Sequence, residues 1–295
     1  YQFVRNTLQQ NQGFINDKPI YSEIAMMSGV SGTDWSWAPI VGDYDNDGFN
    51  DLIITNGFPK DITDRDFIDY QTQIARFTKK ETLLSIIPEV KLKNYAFRNI
   101  SEDNGIVLFE DVTEKWGITK PTFSNGAAHG DLDNDGDLDY IVNNIDGEAN
   151  VFKNNSEKFN ENNWIKIKLV GKENNINAIG ATVELFSEGK YKFYENNPFR
   201  GYLSSMQNII HFGLSDSKSI DSLIVHWSDG HKNKHLSLQV NTSIELVYDE
   251  NINYKSKTDD RPLKLFSEIN IPYNHKEIDF IDFNYQPLLY HKLSQ

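Results

Sequence analysis

Two short stretches hold the residues best suited to chemistry. GDLDNDGDLDYIVNN, from Gly130 to Asn144, places Asp131, Asp133, Asp135 and Asp139 at positions one, three, five and nine of a loop, with Gly136 at position six. GDYDNDGFNDLIITNG sets Asp43, Asp45, Asp47 and Asp51 at the same offsets, with Gly48 at position six. Four carboxylates within nine residues repel one another, so each loop is unfavourable unless a cation sits among them. Hard oxygen ligands at alternate positions suit Ca²⁺, which takes about 6–8 oxygens at roughly 2.3–2.6 Å. The glycine permits the sharp turn. The carbonyls of Phe49 and Asp137, at position seven, are the expected main-chain ligands. Two calcium sites are therefore expected: one from Asp43, Asp45, Asp47, Phe49 and Asp51, the other from Asp131, Asp133, Asp135, Asp137 and Asp139.

An EF-hand opens in the same way, but it needs a bidentate Glu at position twelve. Ile54 and Val142 stand there instead. The residues after each loop are also wrong for a helix: Leu52-Ile53-Ile54-Thr55 and Tyr140-Ile141-Val142 are short β-rich runs ended by Asn-Gly or Asn-Asn. These loops lead into strands.

The elements that must position them repeat. Superposing the loops needs an offset of 88 residues, and Tyr21-Ser22-Glu23-Ile24 then falls on Phe109-Glu110-Asp111-Val112, Gly29-Val30 on Gly117-Ile118, and Gly42 on Gly130. YQFVRN (Tyr1 to Asn6) echoes NYAFRN (Asn94 to Asn99) in a shifted register. Each unit reads as strand, polar turn, strand, glycine turn, acidic loop and strand, which suggests β-propeller blades. Residues 1–155 hold two such units. Between them, at about 61–93, Phe67, Tyr70, Ile74 and Phe77 recur at helical spacing, with Thr63 as the expected N-cap. The aromatic stripe is expected to pack on the blade edge, and a second helix is expected over Glu81 to Ile87.

From Asn163 the period becomes two, in Trp164–Leu169, Ala181–Leu185 and Leu223–Trp227, with Ser228-Asp229-Gly230 as a hairpin turn. Residues 160–250 are therefore expected to form a separate β-sandwich or barrel-like domain without metal, reached through an Asn-rich linker at Asn154 to Asn163. Phe266-Ser267-Glu268-Ile269 opens a third unit, so 260–295 reads as the truncated start of a further blade. The fold class is mostly β.

The formal charge of −14 over 295 residues argues against a nucleic-acid partner. There is no cysteine, hence no disulfide framework and no thiolate chemistry. No run approaches the roughly 18 apolar residues of a membrane span. The chain opens at Tyr1, which reads as a fragment or a processed product. His231 and His235 have the spacing of a helical metal pair but lie in strand-like sequence, where four residues span about 13 Å. Neither a Gly-x-Ser-x-Gly elbow nor a phosphate-cradling glycine loop occurs. Trp35 and Trp37, ahead of the first loop, are placed either to stack on sugar rings or to pack within the blade.

The two loops and their flanking strands resemble FG-GAP/VCBS repeats, the calcium-binding blades also seen in integrin α-chain propellers. The stretch from Trp164 to Val247 resembles the ASPIC/UnbV domain through IGATVELF, GYLSSMQNIIHFGL, VHWSDG and VNTSIEL. The order of blades and ASPIC/UnbV domain is similar to large repeat proteins of Bacteroidota. The resemblance implies a secreted or surface-anchored protein, often a lipoprotein, in some cases beside an outer-membrane transporter. It implies no catalytic residue. The expected function is a non-catalytic, calcium-binding extracellular scaffold presenting a face to a protein or glycan ligand. A polysaccharide-active enzyme, a glycosidase or lyase on a propeller scaffold, is the alternative.

Overall fold

Strands are the prevailing regular element among the described residues. The computed structural model describes residues 5–16, 18–74, 78–101 and 105–251. A hairpin of β1 (Gln9–Ile15) and β2 (Lys18–Glu23) comes first. β3 (Ser36–Gly42) and β4 (Asp51–Asn56) then flank the first acidic loop and pair antiparallel across it, Gly42 opposite Asp51. After α1 (Arg65–Ile74) and α2 (Lys80–Ser85), β5 (Tyr95–Asn99) and β6 (Phe109–Asp111) complete a four-stranded sheet in the order β3-β4-β5-β6. β7 (Ser124–Gly130) and β8 (Asp139–Asn144) flank the second loop, Gly130 opposite Asp139, and β9 (Asn150–Phe152) makes the third strand of a β7-β8-β9 sheet.

The repeat is visible in the backbone. The β3–β4 ladder is interrupted between Ser36 and Pro39, and the β7–β8 ladder between Ser124 and Ala127, again 88 residues on. The sheets divide the repeat differently from its sequence phase, however. β6, which opens the second unit in sequence, hydrogen-bonds to β5 in the first loop's sheet. β4 is buried at every position, because both its faces are covered. Ile53 joins a cluster with Ile40, Tyr44, Leu138, Tyr140 and Val142 that fills the space between the two loop sheets, while Leu52 and Ile54 pack on the opposite side with Ala25, Val30 and Phe97. The turns at Gly29 and Gly117 match, and each sends the next residue, Val30 or Ile118, into a core. Among the described residues these sheets do not close into a ring.

The insertion between the repeats is helical, with a different cap. Asp64, one residue beyond Thr63, accepts the Phe67 amide at 2.8 Å and caps α1, while the Thr63 hydroxyl is turned back to Asp61 at 2.7 Å. Phe67 is buried, but Tyr70 is 47% exposed, so the stripe expected on the blade edge reduces to one ring on the core side. The side chains of Ile74 and Phe77 lie outside the described residues. α2 begins at Lys80 and ends at Ser85, short of Ile87.

β10 (Asn163–Val170), β11 (Thr182–Ser187), β12 (Lys190–Glu195), β13 (Ile210–Ser215), β14 (Ile220–His226), β15 (Lys232–Leu238) and β16 (Thr242–Val247) form two sheets, β13-β10-β16 and β12-β11-β14-β15. Their inner faces share one core, with Ile165, Ile167 and Ile210 from the first sheet against Val183, Leu185 and Leu223 from the second. β10 and β16 run parallel, Ile165 beside Thr242 through Val170 beside Val247. The strand and blade readings over 1–4 and 260–295 fall outside the described residues. No described helix is long and apolar enough to cross a membrane.

Candidate metal centres

Each acidic loop is clasped by its own carboxylates, and the two do it alike. In the first, Asp43 Oδ2 accepts the Gly48 amide at 2.9 Å; in the second, Asp131 Oδ2 accepts Gly136 at the same distance. At position nine, Asp51 accepts the amides of Tyr44 (3.0 Å) and Asn99 (2.8 Å), and Asp139 accepts those of Leu132 and Asn154, both at 2.8 Å. The position-nine carboxylate therefore ties the start of its loop to the next strand's end. Asn46 and Asn134 at position four, and Gly48 and Gly136 at position six, have positive φ, between 57° and 100°. Asparagine tolerates that region and glycine enters it freely.

The expected ligands gather in two triads. Oxygens of Asp43, Asp45 and Asp51 lie within 4.8 Å of one another, as do those of Asp131, Asp133 and Asp139. Asp47 and Asp135, at position five, lie outside these triads. Arg98 bridges Asp45 (2.6 Å) and Asp47 (2.8 Å), and Lys153 bridges Asp133 and Asp135 in the same way. The hydrogen bond from Lys153 holds Asp133 below the ordinary carboxylate range. Phe49, 37% exposed, donates its amide to Asp47 at 2.9 Å.

These carboxylates are poorly hydrated and only partly satisfied. Burial pushes Asp51 up to about 8 and Asp43 well above its usual range, with the neighbouring aspartates adding to both. Burial, then Asp47, raises Asp45. Asp43 Oδ1 and Asp131 Oδ1 are buried without a hydrogen-bond partner. An ionised oxygen in that position costs several kcal/mol unless a cation faces it. The donor set is all oxygen, so the triads can hold a hard metal ion.

Sequence patterns did not reveal a second set of groups around the loops. The ammonium of Lys166, on β10, meets Asp131 Oδ2 at 2.5 Å, the two side chains 7% and 3% exposed. Lys192, on β12, donates to the Gly48 carbonyl and faces Asp43. Gly136 lies under the Trp164 indole, and Gly213 lies against Asp43 and Asn46, where a β-carbon would collide in either case. Asn46 donates to the Gly136 carbonyl at 3.0 Å, so its Oδ1 is the acceptor for His211 Nε2 at 2.7 Å. The Asn-rich linker ties the loops down: Asn154 donates to the carbonyls of Tyr44 and Leu138, and Asn160 and Asn162 both donate to that of Asp45. A cavity of about 290 Å³ remains between the loops and β10, β12 and β13, lined by Asp43, Asp131, His129, Glu195, Arg200 and His211.

Trp35 stacks on Phe58 at 4.4 Å, and Trp37 packs against Phe58 and Tyr202 while donating to the Gly57 carbonyl at 2.8 Å. Both indoles are engaged by protein neighbours.

The chain is similar to Cartilage acidic protein 1 of Homo sapiens, 28% identical over 163 residues. That match covers 52% of this chain, which spans only 24% of the human protein. Residues 171–253 match the family model described as ASPIC and UnbV. That range takes in β11 to β16, so the chain carries an ASPIC and UnbV domain.

Proposed function

We propose that this chain is part of a calcium-stabilised, non-catalytic binding scaffold displayed outside the cell. The observation that carries the reading is the pair of orphaned oxygens, Asp43 Oδ1 and Asp131 Oδ1, each buried at the same position of an oxygen-only triad. Calcium fits that donor set better than zinc or copper, which favour nitrogen or sulfur. In this reading the two loop sheets are FG-GAP/VCBS blades, and the carbonyls of Phe49 and Asp137 complete the ligand sets. Weak sites, with Kd of about 10⁻⁴–10⁻³ M, serve extracellular modules where calcium is plentiful. That supports a secreted or surface-anchored protein, with a protein or glycan ligand, or a transporter complex of the outer membrane, as partner.

Calorimetric titration of the chelator-stripped chain with Ca²⁺ is the test. Asp43→Asn should abolish uptake at the first loop and Asp131→Asn at the second; a wild-type chain that takes up no calcium at millimolar concentration would sink the proposal. A polysaccharide-active enzyme is the second reading, favoured by the cavity that sets Glu195 and Arg200 beside the loops. Turnover of a glycan panel, lost on Glu195→Gln with calcium uptake unchanged, would establish it instead.

A further inference from the structure

The second loop differs from the first at position seven, where Asp137 replaces Phe49. Asp137 is 1% exposed. Its Oδ2 accepts both the amide and the hydroxyl of Ser156 at 3.0 Å, while its Oδ1 has no partner. Oxygens of Asp135, Asp137 and Glu157 lie within 4.8 Å of one another, a triad separate from that of Asp131, Asp133 and Asp139. Asp135 Oδ2 is also buried and meets the Lys153 ammonium at 3.2 Å. The triad opens on a cavity of about 410 Å³, whose wall also includes Asn160, Glu161 and Trp164. We propose that Asp135, Asp137 and Glu157 form a third divalent-cation site, so that the second loop holds two calcium ions with Asp135 shared between them.

Ser156 fixes Asp137 from one side and leaves the orphaned oxygen as the free ligand. Glu161 supplies a further carboxylate at the cavity wall, toward the 6–8 oxygens that calcium takes. In the first loop, Phe49 offers no side-chain oxygen at this place; Glu102, the counterpart of Glu157 fifty-five residues earlier, lies outside the described residues.

This inference rests on the calcium reading of the second loop, and ion counting separates the two. Equilibrium dialysis of the full chain against ⁴⁵Ca²⁺, after removal of metal, should give three ions per chain. The isosteric double variant Asp137→Asn, Glu157→Gln should give two, with its circular dichroism unchanged. Asp43→Asn should also give two, and all three substitutions together should give one. Tb³⁺ emission sensitised through Trp164, which borders the same cavity, should fall in the double variant and persist in Asp43→Asn. Two ions on the wild type, or three retained by the double variant, overturn the third site alone. No ions on the wild type overturn both readings.

Discussion

The loop sheets and the sandwich are held together by different forces. The sandwich encloses one continuous apolar core contributed by both of its sheets, in which Ile165, Ile167, Val183, Leu185, Ile220, Leu223 and Val225 are each fully buried. The loop sheets divide their apolar content between two clusters, one of them only five residues, and place buried carboxylates next to it. Burying apolar area stabilises at roughly 25 cal/mol per Å² with or without a bound metal ion. Burying carboxylates stabilises only when a cation is present. On the proposed calcium reading, one half of the molecule is indifferent to calcium and the other conditional on it.

Chelation should break the comparison most visibly. Each proposed calcium site would contribute RT ln(1 + [Ca²⁺]/Kd), about 2.7 kcal/mol at 100-fold above Kd. Adding EGTA to a chain in such excess should therefore cost about 5 kcal/mol for the Asp43 and Asp131 triads together, before any third site is counted. Hydrogen exchange should show β4 and β8 losing protection while β11 and β14 keep theirs; uniform loss would mean that the two halves unfold as one.

Lys166→Met comes next. Removing one member of a buried pair leaves the other charge uncompensated, at about 3–5 kcal/mol. That cost should appear in EGTA and shrink in saturating calcium, since the ion then faces Asp131. Urea denaturation under both conditions measures it, and equal losses would show that Lys166 acts only by packing. Leu223→Ala, in the fully buried sandwich core, should cost about 2–5 kcal/mol with and without calcium alike. A calcium-dependent loss would erase the distinction.

A pH dependence at the junction gives a further test. Burial lowers His129 to about 4 and His211 to about 3, so both are neutral in the folded chain. An unfolded histidine titrates near 6.5 and binds protons first as pH falls. The stability these rings contribute is present above about pH 6.5 and lost as pH falls toward 4, by roughly 3 kcal/mol for His129. His129→Asn should flatten the fall in melting temperature across that window; an unchanged slope would locate the dependence elsewhere.

The acidic loops were legible because their chemistry lies in a contiguous stretch, with carboxylate spacing and glycine both on the page. The period-two strands of the sandwich were legible for the same reason. The cations that answer the loops were harder to see. Alternation puts Trp164, Lys166 and Lys168 on the same face of β10, which reads as solvent-facing, and Lys168 does pair with Glu245 at an exposed site. Lys166 is buried only because the second loop covers its end of that face. Arg98 and Lys153 had a signal: Phe97-Arg98-Asn99 and Phe152-Lys153-Asn154 are one motif, 55 residues apart. The helical insertion, present in one repeat and not the other, moves that motif out of the 88-residue alignment. The Asn154–Asn163 stretch looked like a spacer, since side-chain amides that mimic backbone partners leave no periodicity.

The parallel pairing of β10 with β16 also has a mechanical meaning. Tension applied between Asn163 and Val247 pulls two neighbouring parallel strands along their common axis in opposite senses. The ladder from Ile165–Thr242 to Val170–Val247 is then loaded in shear, all of its hydrogen bonds sharing the force instead of opening one after another. In a tethered surface protein, a segment joined to its neighbours through these two strands would transmit pull along the chain and rupture at a higher force than a hairpin of equal length.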